Sequence, residues 1–183
     1  METTRHFVAT VYVVNDGAVA LHEHDRLGMW LPPGGHVERE ELPHEAARRE
    51  VREELGHDIE LVAPVDDLQS PTAESIPKPQ HFLLEDINVC DDEVGHQHVD
   101  HVYYARVDSR AVDPASGEQP ASAWDWYTPD DLRAADVDPD VRDLGIEAAA
   151  EEWEWFTAAA LQRRADDLEP DVVKAGQRAI DTV

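Results

Sequence analysis

The segment from Gly35 to Gly56, GHVEREELPHEAARREVREELG, constrains the fold more than any other part of the chain. Proline is tolerated in the first turn of a helix, where its missing N–H costs nothing, and glycine suits the C-terminal cap. Pro43 and Gly56 therefore predict a helix over residues 43–55. On that helix Glu50, Glu53 and Glu54 stand at i, i+3 and i+4, so three carboxylates share one face of roughly 100°. Like charges at that spacing repel by about a few tenths of a kcal/mol per pair, and a positive partner belongs there. A hard divalent cation takes oxygen ligands, which makes Mg²⁺ the natural occupant and Mn²⁺ a substitute. Arg49, one residue before Glu50 and four before Glu53, either orients a carboxylate or stabilises the helix surface. Just upstream, Pro32-Pro33-Gly34-Gly35 reads as a loop with special backbone angles.

The spacing of Gly35, Glu41, Arg49-Glu50, Glu53-Glu54 and Gly56 resembles the Nudix box, G-x5-E-x7-R-E-U-x-E-E-x-G-U, where U is bulky and apolar. Every fixed position matches, and only the last apolar place differs, being taken by His57. For the fixed residues the odds of a chance match are on the order of one in 10⁵ at ordinary residue usage with glutamate enriched. The resemblance implies a Mg²⁺-dependent hydrolase that attacks a phosphoanhydride in a nucleoside-diphosphate derivative. It assigns a metal to the Gly34 carbonyl and to Glu50, Glu53 and Glu54. Glu53 is then the first choice as general base or bridging ligand, Arg49 an orienting residue, and Glu41 structural. Many members of the family draw a further carboxylate from outside the box, and Glu93, or failing that Asp92, is expected to supply it. The alternative is a Nudix-fold module that binds a nucleotide without catalysis. Such modules typically lose box glutamates, and this chain keeps them.

Around the box, residues 6–14 alternate as a strand, Asn15-Asp16-Gly17 signals a hairpin, and residues 18–22 return. Further strands are expected at 59–65, 81–89, 99–107 and 123–127, with 69–80 and 108–123 as loops and the polar stretch 90–98 as a connection. Thr128 is the expected N-cap of a short helix. Longer helices are expected over 140–164 and 171–180. The sum is an α+β fold, an α/β/α sandwich with a mixed sheet between helices. Residues 1–165 would form the Nudix domain and 166–183 a helical tail.

Three smaller features leave alternatives open. His96, His98 and Asp100 point one way if extended, with His101 beside them; they would hold a transition metal, or serve as surface or substrate contacts. Trp124, Trp126 and Tyr127 would stack on a base or pack in the sheet core. Trp153 and Trp155 would pack on the sheet or at a homodimer contact. Cys90, the single cysteine, allows no internal disulfide and reads as a small half-buried hydrophobe.

Charge bounds the partners. Across 183 residues, 41 acidic side chains face 15 basic ones, a net charge of −26 spread through the chain. No basic stripe exists to displace counterions, so polymeric DNA or RNA is excluded as a partner. An even spread of acids suits a surface adapted to a salty solvent, as in a halophile's cytoplasm. No apolar run is long enough for a bilayer, so no membrane partner is expected. The small-molecule substrate is less constrained. WLPPGGHVE at 30–38 resembles nucleoside-triphosphate pyrophosphohydrolases of the MutT type, whereas Pro71 resembles a proline of ADP-ribose hydrolases.

Overall fold

A single mixed sheet carries the fold, and its first strand sets both faces. The computed structural model describes residues 3–24, 28–90 and 93–150, without the side chains at 88–90 and 93. Strand β1 (Thr4–Asn15) sends Ala9, Val11 and Val13 to one side and Tyr12 to the other, as a two-residue period requires. Asp16 and Gly17 both take positive φ, 44° and 69°, the turn expected of this hairpin, and β2 (Ala18–His24) returns.

β1 and β2 pair only next to the turn, at Val14↔Val19 and Asn15↔Ala18. Beyond it β2 takes up β3 (Met29–Leu31) and β8 (Trp124–Tyr127), while β1 takes up β4 (Gly34–His36) at Val8↔His36, Ala9↔Gly35 and Thr10↔Gly34. On its other side β1 runs parallel to β7 (Glu93–Arg106), which pairs antiparallel with β6 (His81–Cys90) and β5 (Glu60–Leu61). One parallel pairing among antiparallel ones makes the sheet mixed.

Helix α1 (Pro43–Leu55) has the predicted bounds, with Pro43 in its first turn and Gly56 left-handed at φ 77°. Its buried face, Ala46, Ala47, Val51 and Leu55, packs on the Ala9, Val11 and Val13 side of the sheet. The short α2 (Pro129–Ala134) and α3 (Pro139–Ala149) cover the opposite side, where Leu132, Val141, Ala148 and Ala149 meet Tyr12, Val102 and Tyr104. Thr128 caps α2, its Oγ1 accepting from the Asp131 N–H at 3.3 Å. The result is the expected α/β/α sandwich. No helix among the described residues is long and apolar enough to cross a membrane.

Four expectations need correction. The glycine pair at 34–35 is not a loop but the strand β4, and neither glycine has positive φ. The stretch 90–98 is largely strand, with Cys90 ending β6 and Glu93–His98 beginning β7; residues 94–98 are only half-buried, so apolar alternation is not needed there. The strand at 59–65 shrinks to Glu60–Leu61, followed closely by Pro64, which has no N–H for a ladder. Helix α3 stops at Ala150, whose backbone is extended, well short of residue 164. Trp153, Trp155, the expected helix at 171–180 and the tail at 166–183 lie outside the described residues. The side chain of Cys90 does too.

Candidate active site

Two glycines without side chains set β4 in place: Gly34 lets it lie against β1, and Gly35 lets α1 lie against it. A Cβ on Gly34 would come within 2.5 Å of the Ala9 carbonyl oxygen, and one on Gly35 would collide with the Glu50 carboxylate. The requirement at both positions is missing bulk rather than unusual angles. The Gly34 N–H donates to Glu54 Oε2 at 2.9 Å, so β4 holds one box carboxylate directly.

Arg49 organises the rest. Its guanidinium forms a two-pronged pair with Glu41 (2.9 Å at both prongs) and donates to Glu50 Oε1 at 2.8 Å and Glu53 Oε2 at 3.1 Å. It also reaches the His36 carbonyl at 3.0 Å, tying helix to strand. Arg49 thus touches three carboxylates and the backbone of β4. Glu41 holds Arg49 and accepts from the Glu38 N–H at 3.1 Å, which fits a structural part. Hydrogen bonding to Arg49 keeps the Glu41 carboxyl below the usual range.

Glu50 and Glu54 are pushed the other way. Burial, with Glu50, Glu118 and Glu53 nearby, raises Glu54 to about 8 against the pull of the Gly34 N–H. Burial also raises Glu50, although Arg49 opposes it. Desolvated carboxylates crowded by like charge are short of a cation, and an all-oxygen donor set suits a hard one. Glu50, Glu54 and the more exposed Glu53 therefore fit a divalent ion beside Gly34. The structure brings Gly34, Arg49, Glu50, Glu53 and Glu54 together.

It does not bring Glu93 to them. Ala9 pairs with Gly35 on one side and His101 on the other, and Glu93 lies eight residues before His101 on the same strand. At a rise of about 3.3 Å per residue that is roughly 26 Å away. Asp92 lies outside the described residues. The acid near the box is Glu118, whose charge acts on both Glu50 and Glu54. Its loop is docked on the end of α1 by the Ala115 N–H on the Glu53 carbonyl (2.6 Å) and the Asp113 N–H on the Leu55 carbonyl (3.1 Å). Gly117, at φ 110°, allows the turn that follows. Nothing in the sequence around 118 distinguishes it from other acidic loops.

On the other side of β4 a cavity of about 670 Å³ opens, lined by Gly34, Gly35, Glu85, Asp100 and Asp140 among others. Asp100 is 3% exposed, and its Oδ1 has no hydrogen-bond partner among the described residues. Burial raises its carboxyl, and burial with Asp100 and Asp140 in view pushes Glu85 up to about 7. The sequence offered a faint signal: Glu85 and Asp100 are acids at positions where strand alternation turns the side chain inward. Trp124, by contrast, is core, buried and stacked on His22 at 4.5 Å.

A family model for the NUDIX domain matches residues 4–145. The chain belongs to the Nudix family. A Nudix-family hydrolase from Clostridium perfringens is 34% identical, with a TM-score of 0.70 over 80% of this chain and 97% of that one. The MutT Nudix hydrolase from Burkholderia pseudomallei is 22% identical, TM-score 0.53, over 79% of this chain and 98% of its own. The dihydroneopterin triphosphate pyrophosphohydrolase of E. coli shares the fold at 14% identity, TM-score 0.50, covering 79% and 91%. No curated protein matches in sequence. The chain is thus a Nudix pyrophosphohydrolase, a hydrolase of acid anhydrides, with every fixed glycine, glutamate and arginine of the box in place.

Proposed function

We propose that this Nudix enzyme is Mg²⁺-dependent and cleaves a phosphoanhydride in a nucleoside triphosphate or related nucleoside-diphosphate derivative. The observation that carries this reading is the shared use of β4: Gly34 and Gly35 line the cavity on one side and meet Glu54 and Glu50 on the other. A nucleoside fits the cavity, and its phosphates then run past the glycines to the carboxylates of α1. The acids of the cavity call for hydrogen-bond donors on the ligand, which amino and ring N–H groups of a base provide. Gly34, Glu50, Glu53 and Glu54 would hold the Mg²⁺, with Mn²⁺ as a substitute. When bound, the ion neutralises the phosphate oxygens and polarises the attacking water.

The chain's own residues supply the rest. Arg49 fixes the Glu50 and Glu53 carboxylates so that little reorientation remains for the reaction. Glu53, half in solvent, takes the proton of the water as general base or serves as a ligand, and Glu118 is the carboxylate contributed from outside the box. The net charge of −26 supports a small nucleotide over polymeric nucleic acid, and a salt-rich cytoplasm as the setting.

A screen for phosphate and pyrophosphate release tests this, run with Mg²⁺ at low and molar KCl over nucleoside triphosphates, oxidised nucleotides and ADP-ribose. Turnover of a base-bearing di- or triphosphate is expected. Turnover confined to substrates without an anhydride would overturn the assignment.

A further inference from the structure

The chain has ten histidines, and four of them gather on one patch of the sheet. His6 and His96 have ring centroids 4.6 Å apart, His6 and His36 5.1 Å, His36 and His98 5.1 Å, and His96 and His98 5.0 Å. One nitrogen from each of His6, His36 and His96 lies within 4.8 Å of the other two. The expectation for this region grouped His96 and His98 with Asp100. The strand pairing instead sets β1 and β4 beside them: Thr4↔His96, His6↔His98 and Val8↔His36 are alternate rungs, which share one face of the sheet. His101 turns to the opposite face, between Phe7 and Phe82.

We propose that His6, His36 and His96, with His98 as a fourth imidazole, form a site for a borderline transition-metal dication such as Zn²⁺, distinct from the carboxylate site on α1. Neutral imidazole suits Zn²⁺, Co²⁺, Ni²⁺ or Cu²⁺ and is a poor ligand for Mg²⁺, so the two sites select different metals. The three strands fix the Cα positions, leaving only side-chain torsions to adjust. With Zn–N bonds of about 2.0–2.1 Å, nitrogens in a tetrahedral site stand about 3.3 Å apart, so the donors must draw in by about 1.5 Å at most. His6 and His36 are exposed and can swing without disturbing the core. The Thr4 hydroxyl, 2.8 Å from His96 Nδ1, orients that ring; when it accepts, Nε2 keeps its lone pair. Such outer hydrogen bonds are what position metal-binding histidines.

The alternative, a set of rings stacked edge to face on the surface, gives no preference for one ion over another. A bound metal would tie the end of β4, one residue past the site glycines, to β1 and β7.

The test uses the full chain, stripped with a chelator and dialysed into excess Mg²⁺ so that the carboxylate site is occupied. Zn²⁺ is titrated by calorimetry, and Co²⁺ is followed by its visible absorption. One nitrogen-ligated ion per chain is expected, with Co²⁺ bands of tetrahedral intensity. His6→Gln and His96→Gln should each weaken Zn²⁺ binding on the order of tenfold or more, while Glu54→Gln leaves it unchanged. Metal-free melting curves verify that each variant folds, and His6, being exposed, is the one least able to disturb folding. Absence of Zn²⁺ binding at micromolar concentration would overturn the proposal. So would binding that survives both histidine changes or disappears with Glu54→Gln.

Discussion

Replacing Glu54 by glutamine should stabilise the metal-free protein while disabling it. Glutamine keeps an oxygen to accept the Gly34 N–H at 2.9 Å but removes an ionisable carboxyl buried beside Glu50 and near Glu118, which folding forces to take up a proton near neutral pH. The folded carboxyl titrates at about 8 against an ordinary 4.5. A raised carboxylate pKa means that its favourable, protonated contribution is complete below pH 4.5 and is lost as pH rises through 8. At pH 7 the cost of keeping this group folded is therefore about 3 kcal/mol, taken as the 2.5-unit gap at about 1.36 kcal/mol per unit. Glu54→Gln should recover most of that in EDTA at pH 7–8 and almost none at pH 4.5. In Mg²⁺ the order should reverse, because the wild type gains a ligand-linked stabilisation that the variant lacks. Turnover should fall by about two orders of magnitude or more. Glu45→Gln is the control: Glu45 accepts from the Leu42 N–H at the helix start, and glutamine retains that oxygen. The measurements are denaturant melts at two pH values with EDTA or Mg²⁺, alongside pyrophosphate release. A Glu54→Gln protein that is less stable than wild type in EDTA at pH 8, or as active as Glu45→Gln in saturating Mg²⁺, refutes the reasoning.

Other consequences can be checked independently. Glu118→Gln should lower turnover by about tenfold or more while Glu93→Gln changes it little, and equal effects would put the outer carboxylate back on β7. Arg49→Lys should cost about 1–3 kcal/mol of stability in a urea melt, since lysine cannot reproduce the two-pronged grip on Glu41 or reach His36 as well; an unchanged midpoint would contradict this. Glu85 is raised to about 7, so its stabilising protonated form is complete below pH 4.5 and lost as pH rises through 7. Glu85→Gln should narrow the drop in melting temperature between pH 5 and pH 8, and an unaltered drop would argue against it. Stability should climb as KCl rises toward 1 M, where the Debye length is about 3 Å, and a flat or falling melting temperature would remove the halophile reading.

What the chain discloses about itself follows the range of each physical signal. Helix α1 could be bounded to the residue because proline, glycine and the carboxylate spacing all act within a few positions. The grouping of Arg49, Glu50, Glu53 and Glu54 came with it, since a helix converts sequence interval into proximity. Gly34 and Gly35 were recognised as special for the wrong reason: glycine signals an absent side chain and a free φ equally, and only the neighbours Ala9 and Glu50 tell them apart. Glu93 was misplaced because a polar run reads as a loop, and the long register of β7 against β1 is invisible locally. Glu118 and the His6–His36–His96 meeting depend on contacts between segments far apart in the chain, where one sequence carries no spacing to read.

The three-residue strand β4 also has a metrical consequence. On the proposed reading, a ligand that crosses it would be held at one end by the cavity and at the other by α1, with the separation set by a backbone ribbon that cannot stretch. Neighbouring strands lie about 4.7–4.9 Å apart, so the crossing is a fixed ruler rather than an adjustable clamp. Such a ruler would count phosphates: which anhydride reaches the carboxylates would depend on how many links separate it from the base, whatever the base is. Changes in the cavity can then alter which nucleoside is taken without moving the bond that breaks.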